Sequence, residues 1–104
     1  MPKKDYNIIL NNTTRIFILI ETKKGIIVRF VVKLEILIKD KWLEVERYDT
    51  HHGYVHKDIL GKNRKKKRCL KYYLIDNESG LNMAIKDFKE NHQLYSWRYL
   101  NDKA

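Results

Sequence analysis

The sequence lacks several features that define whole classes of proteins. Its 104 residues include a single cysteine, Cys69, which excludes an internal disulfide and a zinc site built from several thiolates. The first ten residues contain no apolar run of the kind that a signal peptide carries. The most apolar stretch, IFILIE at 16–21, is much shorter than the roughly 20 residues needed to cross a bilayer. These absences predict a soluble protein of a reducing compartment, the cytoplasm.

The chain also lacks internal repeats and any segment that resembles an interdomain linker. A length of 104 residues and a hydrophobic content of 43% are sufficient for one core and are typical of a folded domain rather than a disordered chain. Residues 1–13 are polar and predict a flexible arm, or an edge strand if the YNIIL segment pairs with a sheet. Residues 14–104 predict a single α+β domain.

Acidic residues are scarce relative to basic ones. There are 22 lysines and arginines against 13 aspartates and glutamates, a formal net charge of +9, and such an excess favours a phosphate-rich partner or an acidic protein. Between residues 57 and 71 the only acid is Asp58, so the excess is local. We predict that residues 61–68 form a cationic hairpin tip that binds phosphate. The alternative is that they form a solvated turn without a ligand. Its candidate phosphate contacts are Lys62, Arg64, Lys65, Lys66, Lys67 and Arg68.

Alternation of apolar and polar residues predicts strands at 15–21, 26–40, 42–49 and 68–76. The 26–40 segment is the strongest example, because every even position from 28 to 38 is apolar. Together these segments predict a four-stranded antiparallel meander. Cys69 alternates with Leu70 within the last strand and is interpreted as a packing residue.

The C-terminal segment changes to helical periodicity. Apolar and aromatic side chains recur at steps of three and four residues, and Asn77 or Ser79 is a candidate N-cap. We therefore expect one C-terminal amphipathic helix packed against the four-stranded meander, an α+β fold. The other face of the sheet would carry further apolar side chains and predicts a homodimer. These side chains are Phe17, Leu19, Val31, Leu37 and Tyr73.

The segment RYDTHHGYVHKDIL at 47–60 holds three of the four histidines. Strand alternation places Arg47 and Asp49 on the core side, where each charge needs the other as a partner. A turn at Gly53 would bring His52 and His56 close to Asp49 at the end of the sheet. In the simplest alternative, this is a polar loop whose histidines bond to backbone carbonyls.

Three chemistries fit this segment. The first is acid–base catalysis on RNA, with His52 and His56 transferring protons and Arg47 stabilising the charged phosphorane. The second is a divalent metal held by the two histidines and a carboxylate. The third is binding alone, with histidines and Tyr54 stacked on bases. The pattern does not decide whether the two histidines and Asp49 bind a metal, and it leaves any other cofactor unknown. The candidate catalytic residues are Arg47, Asp49, His52, His56 and Asp58.

The stretch from 30 to 60, FVVKLEILIKDKWLEVERYDTHHGYVHKDIL, and the later segment AIKDFKENHQLY resemble a small uncharacterised prokaryotic family with the motif R-Y-D-x-x-H-G-x-x-H-x-D. The resemblance covers about three quarters of the chain. The chain is also loosely similar to TumE-type toxins of toxin–antitoxin systems. That similarity implies growth inhibition through RNA and a cognate antitoxin as a partner. The motif positions are Arg47, Asp49, His52, Gly53, His56 and Asp58.

Two functions follow as hypotheses. The first is a small basic nucleic-acid-binding protein that acts on RNA rather than DNA, as a ribonuclease toxin using histidine acid–base chemistry. In that case Tyr54 and the cationic tip would bind the nucleic acid. The second is a noncatalytic dimeric interaction module that binds an acidic protein partner.

Overall fold

Six strands and one long helix follow one another along the part of the chain that the computed structural model describes, residues 2–102. Each strand pairs antiparallel with the preceding one, so the order in the sheet is the order in the chain. The α+β class with one C-terminal helix is confirmed, but the prediction of four strands is wrong. The elements are β1 (Lys3–Asn11), β2 (Thr14–Lys23), β3 (Ile26–Ile38), β4 (Lys41–Asp49), β5 (Val55–Leu60), β6 (Lys66–Tyr72) and α1 (Asn77–Leu100).

The two additional strands are β1 and β5. β1 lies at the edge of the sheet, and its side chains Tyr6, Ile8 and Leu10 pack against the core. β5 has the sequence VHKDIL, in which three consecutive polar residues hide the strand pattern. In the fold these three side chains are buried, because β5 lies between β4 and β6. None of the helices in residues 2–102 is both long enough and apolar enough to span a bilayer.

The core lies between one face of the sheet and α1. It is built from Ile16, Ile18, Phe30, Val32 and Leu34 of the sheet and from Leu81, Ala84 and Phe88 of the helix. We call the opposite side of the sheet the helix-free face.

The start of α1 approaches the sheet closely at Gly80. A Cβ atom at this position would lie 2.7 Å from Cγ2 of Val55, so a glycine allows the helix to dock. The N-cap is Asp76, whose carboxylate accepts a hydrogen bond from the Ser79 amide at 2.7 Å. The predicted caps Asn77 and Ser79 were therefore wrong by one and three residues.

A β-bulge at Val45 changes the phase of β4. Leu34 is opposite Glu46 and Glu35 is opposite Glu44, so Val45 is an extra residue without a partner on β3. Beyond the bulge, the side chains that simple alternation assigns to one face lie on the other. The prediction that Arg47 and Asp49 point to the core side is therefore wrong: they lie on the helix-free face.

The same bulge directs Glu46 to the helix side, where it meets a buried lysine of β5. Nζ of Lys57 lies 2.9 Å from Oε1 of Glu46 and 2.8 Å from Oδ2 of Asp87 on α1. The hydroxyl of Tyr48 donates to Asp87 at 2.7 Å and that of Tyr95 at 2.6 Å. These five side chains, the interlayer ion cluster, connect the sheet to the helix.

The protonation of this cluster follows from competition between burial and pairing. Burial alone would lower the pKa of Lys57, but its contacts with Asp87 and Glu46 outweigh burial and raise it. Burial alone would raise the pKa of Asp87, but hydrogen bonds from Lys57, Tyr95 and Tyr48 outweigh burial and lower it. At Glu46 burial prevails over the contact with Lys57, and the pKa is raised. The dominant ion pair is therefore Lys57 with Asp87.

Replacing Lys57 with methionine should destabilise the fold by about 3–5 kcal/mol, because it leaves buried carboxylates without their cation. The measurement is urea unfolding at neutral pH. The matched control is Lys71→Met on the neighbouring strand; Lys71 is exposed, and its loss should change the free energy of unfolding by less than about 0.5 kcal/mol. Equal stability of the two variants would contradict the role of the cluster.

Asp87 also gives a pH dependence whose sign can be tested. Because its pKa is lowered in the folded state, its stabilisation is present above the unfolded-state pKa of about 3.9 and is lost as the pH falls through the folded-state pKa. Asp87→Asn should therefore be less stable at pH 7 and lose less stability than the wild type on acidification from about pH 5. Urea unfolding over a pH series measures this. The control is Asp40→Asn, which removes a carboxylate from the exposed turn between β3 and β4, outside the cluster. If the free energy of unfolding of Asp87→Asn falls on acidification as steeply as that of the wild type, the assignment is refuted.

Candidate functional site

Four of the predicted catalytic residues lie side by side on the helix-free face. Arg47 is opposite Asp58, and Asp49 is opposite His56, in the register of β4 and β5. Residues paired in this way on one face have side chains within contact distance. The two adjacent pairs therefore form one block of side chains.

Ion pairs connect the block into a chain. Nε of Arg47 lies 3.0 Å from Oδ2 of Asp49, and Oδ1 of Asp49 lies 2.5 Å from Nε2 of His56. Nδ1 of His56 lies 3.6 Å from Oδ1 of Asp58. The histidine and the two aspartates are each at most 6% exposed, so the chain Asp49–His56–Asp58 is a buried polar cluster on a face that no helix covers.

The fifth predicted residue, His52, belongs to the turn between β4 and β5. Gly53 has a φ of +85°, which favours glycine, and its amide donates to the Thr50 carbonyl at 3.0 Å. The turn is also held by Asp49, which accepts a hydrogen bond from the His51 amide at 3.0 Å. The His52 ring centroid lies 5.4 Å from that of His56, and His52 is exposed.

Aromatic side chains surround this turn. The Tyr54 ring lies 5.8 Å from the His56 ring and 4.6 Å from the Tyr73 ring. Tyr73 is 64% exposed. His52, Tyr54 and Tyr73 therefore form an aromatic rim next to the buried cluster.

The predicted cationic tip does connect β5 to β6, through the 3₁₀ turn Lys62–Arg64. All side chains from Lys62 to Arg68 are exposed, but three of them already have acidic partners in the protein. Arg64 pairs with Glu44 at 2.9 Å, Lys66 with Asp58 at 3.5 Å and Lys67 with Asp102 at 3.2 Å. Within residues 2–102, Lys62, Lys65 and Arg68 make no ion pair.

A groove of about 190 Å³ extends from Arg47 across β3, β2 and β1 on the same face. Sequence analysis did not find its cations, because they lie on strands far from the cationic tip in sequence. The ammonium of Lys33 lies 5.4 Å from the centre of the Phe17 ring, in contact range for a cation and an aromatic ring. The groove combines basic and apolar side chains: Lys3, Phe17, Leu19, Arg29, Val31, Lys33 and Arg47.

Cys69 is another residue of this face whose place near the cluster the sequence did not predict. It lies opposite Asp58 in the pairing of β5 with β6, and it is half-buried. Burial raises the pKa of its thiol, and a hydrogen bond to Asp58 raises it further. The ligating atoms of His56, Asp58 and Cys69 all lie within 4.8 Å of one another.

The chemistry open to each histidine differs. His52 is exposed and can exchange a proton with a bound molecule. Both nitrogens of His56 face carboxylates, and the ring is buried. The catalytic roles of Arg47, Asp49, His52, His56 and Asp58 stay predictions; what the structure establishes is their proximity.

Comparison with known proteins identifies a family for this chain but no individual relative. No curated protein and no solved structure matches the chain. The model of DUF7718, a domain of unknown function, matches residues 1–104. This match agrees with the expected resemblance to an uncharacterised family, while the motif and the similarity to TumE-type toxins stay predictions. Because the match covers the entire chain, the protein belongs to the DUF7718 family of domains of unknown function.

Proposed function

We propose that this protein binds single-stranded RNA on its helix-free face and cleaves it by acid–base chemistry at His52. The observation that carries the proposal is the exposed imidazole of His52 next to buried His56 and Asp49, which pair with each other and with half-buried Arg47. An imidazole, a guanidinium and a carboxylate in one region could transfer a proton, stabilise charge and orient the cation, which supports the proposal.

RNA binding is supported by the surface around that region. Lys3, Arg29 and Arg47 of the groove pair with acidic side chains, so Lys33 is its cation without an ion pair within residues 2–102. Further cations for phosphates come from Lys62, Lys65 and Arg68 of the cationic tip, which lies at the opposite end of β5 from His52. The aromatic rim offers rings on which unpaired bases can stack. A surface of this composition fits a single strand better than a duplex, because the bases of a single strand are free to stack.

The chemistry that fits is attack by the 2′-hydroxyl of the substrate, which DNA lacks. His52 takes the proton of the 2′-hydroxyl, the 2′-oxygen bonds to phosphorus, and the bond from phosphorus to the 5′-oxygen breaks. The leaving oxygen takes a proton from solvent, which gives a 2′,3′-cyclic phosphate and a 5′-hydroxyl. Arg47, whose side chain is 33% exposed, stabilises the negative charge on the phosphorane.

His56 has a positioning role in this mechanism. Its buried ring fixes Asp49, and Asp49 in turn fixes the guanidinium of Arg47 and the backbone of the turn at His51. This differs from the initial expectation that His52 and His56 both transfer protons, because burial keeps His56 from the substrate.

Binding is tested with Lys62→Ala combined with Lys65→Ala. Loss of two phosphate contacts should weaken the binding of labelled single-stranded RNA and reduce the slope of log affinity against log salt by about 1.4. Fluorescence anisotropy between 50 and 200 mM salt, conditions chosen for sensitivity, measures both quantities. The control is Lys86→Ala combined with Lys89→Ala, which removes the same charge from exposed positions of α1 on the other side of the sheet. If both double variants weaken binding equally, the effect comes from net charge alone, and the proposed RNA-binding surface is rejected.

Catalysis is tested with His52→Ala. Cleavage of single-stranded RNA should fall by about 10²-fold or more, while the free energy of unfolding changes by less than about 0.5 kcal/mol because the side chain is exposed. The product assay is detection of the 2′,3′-cyclic phosphate. His51→Ala is the control, since His51 is the adjacent exposed histidine, and it should retain activity.

A wild-type rate in His52→Ala would rule out the catalytic proposal. If the wild-type protein binds RNA but does not cleave it, only the binding part of the proposal stands. Absence of both activities would favour the alternative, a noncatalytic dimeric module that binds an acidic protein such as an antitoxin.

A further inference from the structure

Three different metal-ligating side chains meet where β5 pairs with β6. Asp58 and Cys69 are direct partners across the two strands, and His56 is two residues before Asp58 on the same face. Their ligating atoms lie within 4.8 Å of one another. One nitrogen, one oxygen and one sulfur donor are thus grouped at a single point of the helix-free face.

Two of these three metal-ligating atoms are buried and lack a hydrogen-bond partner. Nδ1 of His56 and Oδ1 of Asp58 are inaccessible to solvent, and neither has a partner with hydrogen-bond geometry within residues 2–102. The residues themselves are 4% and 6% exposed. Buried polar atoms of this kind are rare in native structures, and a bound ion is one explanation for them. These two atoms lie 3.6 Å apart.

The orientation of His56 gives a further reason. Its Nε2 faces Asp49 at 2.5 Å, so Nδ1 is the nitrogen directed toward Asp58, at 3.6 Å. Asp49 is itself fixed by Arg47. Metal-binding histidines commonly present one nitrogen to the ion and the other to a carboxylate, which orients the ring and makes it a stronger ligand. The chain Arg47–Asp49–His56 has that arrangement.

We propose that His56, Asp58 and Cys69 bind a zinc-like divalent transition-metal ion, through Nδ1, a carboxylate oxygen and the thiolate. Thiolate and imidazole ligands favour zinc or cobalt over magnesium and calcium. Ligands of a tetrahedral zinc ion are separated by about 3.3–3.7 Å, and His56 and Asp58 already have such a spacing. Three protein ligands leave the fourth position open to water or a bound molecule.

Lys66, an exposed lysine at the edge of the site, can make room for the ion. Nζ of Lys66 lies 3.5 Å from Oδ1 of Asp58, and its side chain is 56% exposed. A long exposed side chain can move away when a divalent cation binds to the same carboxylate, and it competes with that cation until it does. The proposal goes beyond RNA cleavage and does not rest on it, since the ion can bind whether or not RNA is a substrate.

Titration of the metal-free, thiol-reduced full chain with Co²⁺ tests this site. We expect one equivalent to bind, with visible bands of tetrahedral cobalt and a thiolate-to-cobalt charge-transfer band, and stoichiometric displacement by Zn²⁺. Cys69→Ala should abolish the charge-transfer band and weaken binding. Asp49→Asn, which leaves the three ligands in place and replaces the carboxylate beside Nε2 of His56, should weaken binding by about 10–100-fold.

Two further variants make the test decisive. Lys66→Ala removes the competing cation from an exposed position, so it should strengthen Co²⁺ binding without affecting the fold. His51→Gln removes an exposed histidine outside the site and should leave binding unchanged; circular dichroism checks the fold of each variant. Absence of stoichiometric binding to folded wild-type protein would overturn the proposal. So would binding that is insensitive to both Cys69→Ala and Lys66→Ala, or that is lost in His51→Gln, because either result would indicate surface histidines instead.

Discussion

The bulge at Val45 is the constraint on which the arrangement of both faces depends. One unpaired residue in β4 inverts the phase of the strand, so that Glu46 and Tyr48 lie under the helix while Arg47 and Asp49 lie on the helix-free face. The pairing of β4 with β5 then fixes the faces of the β5 side chains. Lys57 lies opposite Tyr48, on the helix side, whereas His56 and Asp58 lie opposite Asp49 and Arg47, on the helix-free face. Without the extra residue, the two sets of charges would exchange faces.

Both sets of polar residues include buried atoms without a hydrogen-bond partner, such as Oε1 of Glu46 under the helix, but only the second set lies on a face that no helix covers. In the interlayer ion cluster, Lys57 contacts Glu46, Asp87 and Tyr95, and Asp87 accepts hydrogen bonds from two tyrosines. A network of this kind holds a helix in one register on a sheet. On the helix-free face the chain through Asp49, His56 and Asp58 includes buried atoms without hydrogen-bond partners. An unsatisfied cluster on a surface that no helix covers is what one expects where a molecule or an ion binds.

Local sequence patterns predicted part of this structure. The alternation from 26 to 38 and the helical periodicity after residue 80 gave the class and the C-terminal helix, because each pattern reflects one buried face of a regular element. β5 was missed because its burial comes from neighbouring strands on both sides rather than from an apolar pattern of its own, so no strand was predicted for residues 55–60. The proximity of Asp49, His52 and His56 was expected from the turn at Gly53, whereas the inclusion of Cys69 and of the Lys33 groove was not expected.

The sequence alone determined the elements whose signal is local: the strands with strict alternation, the amphipathic helix, the positive charge, and the turn that needs a glycine. Tertiary structure alone decided which face each polar residue occupies, because one unpaired residue in β4 reverses the faces and leaves no mark in the local pattern. It also decided which charges are paired, since Lys57 meets Asp87 across 30 residues and Asp58 meets Cys69 across a hairpin. Such contacts depend on register and on the position of the helix, and neither of these is encoded within any short segment of the chain.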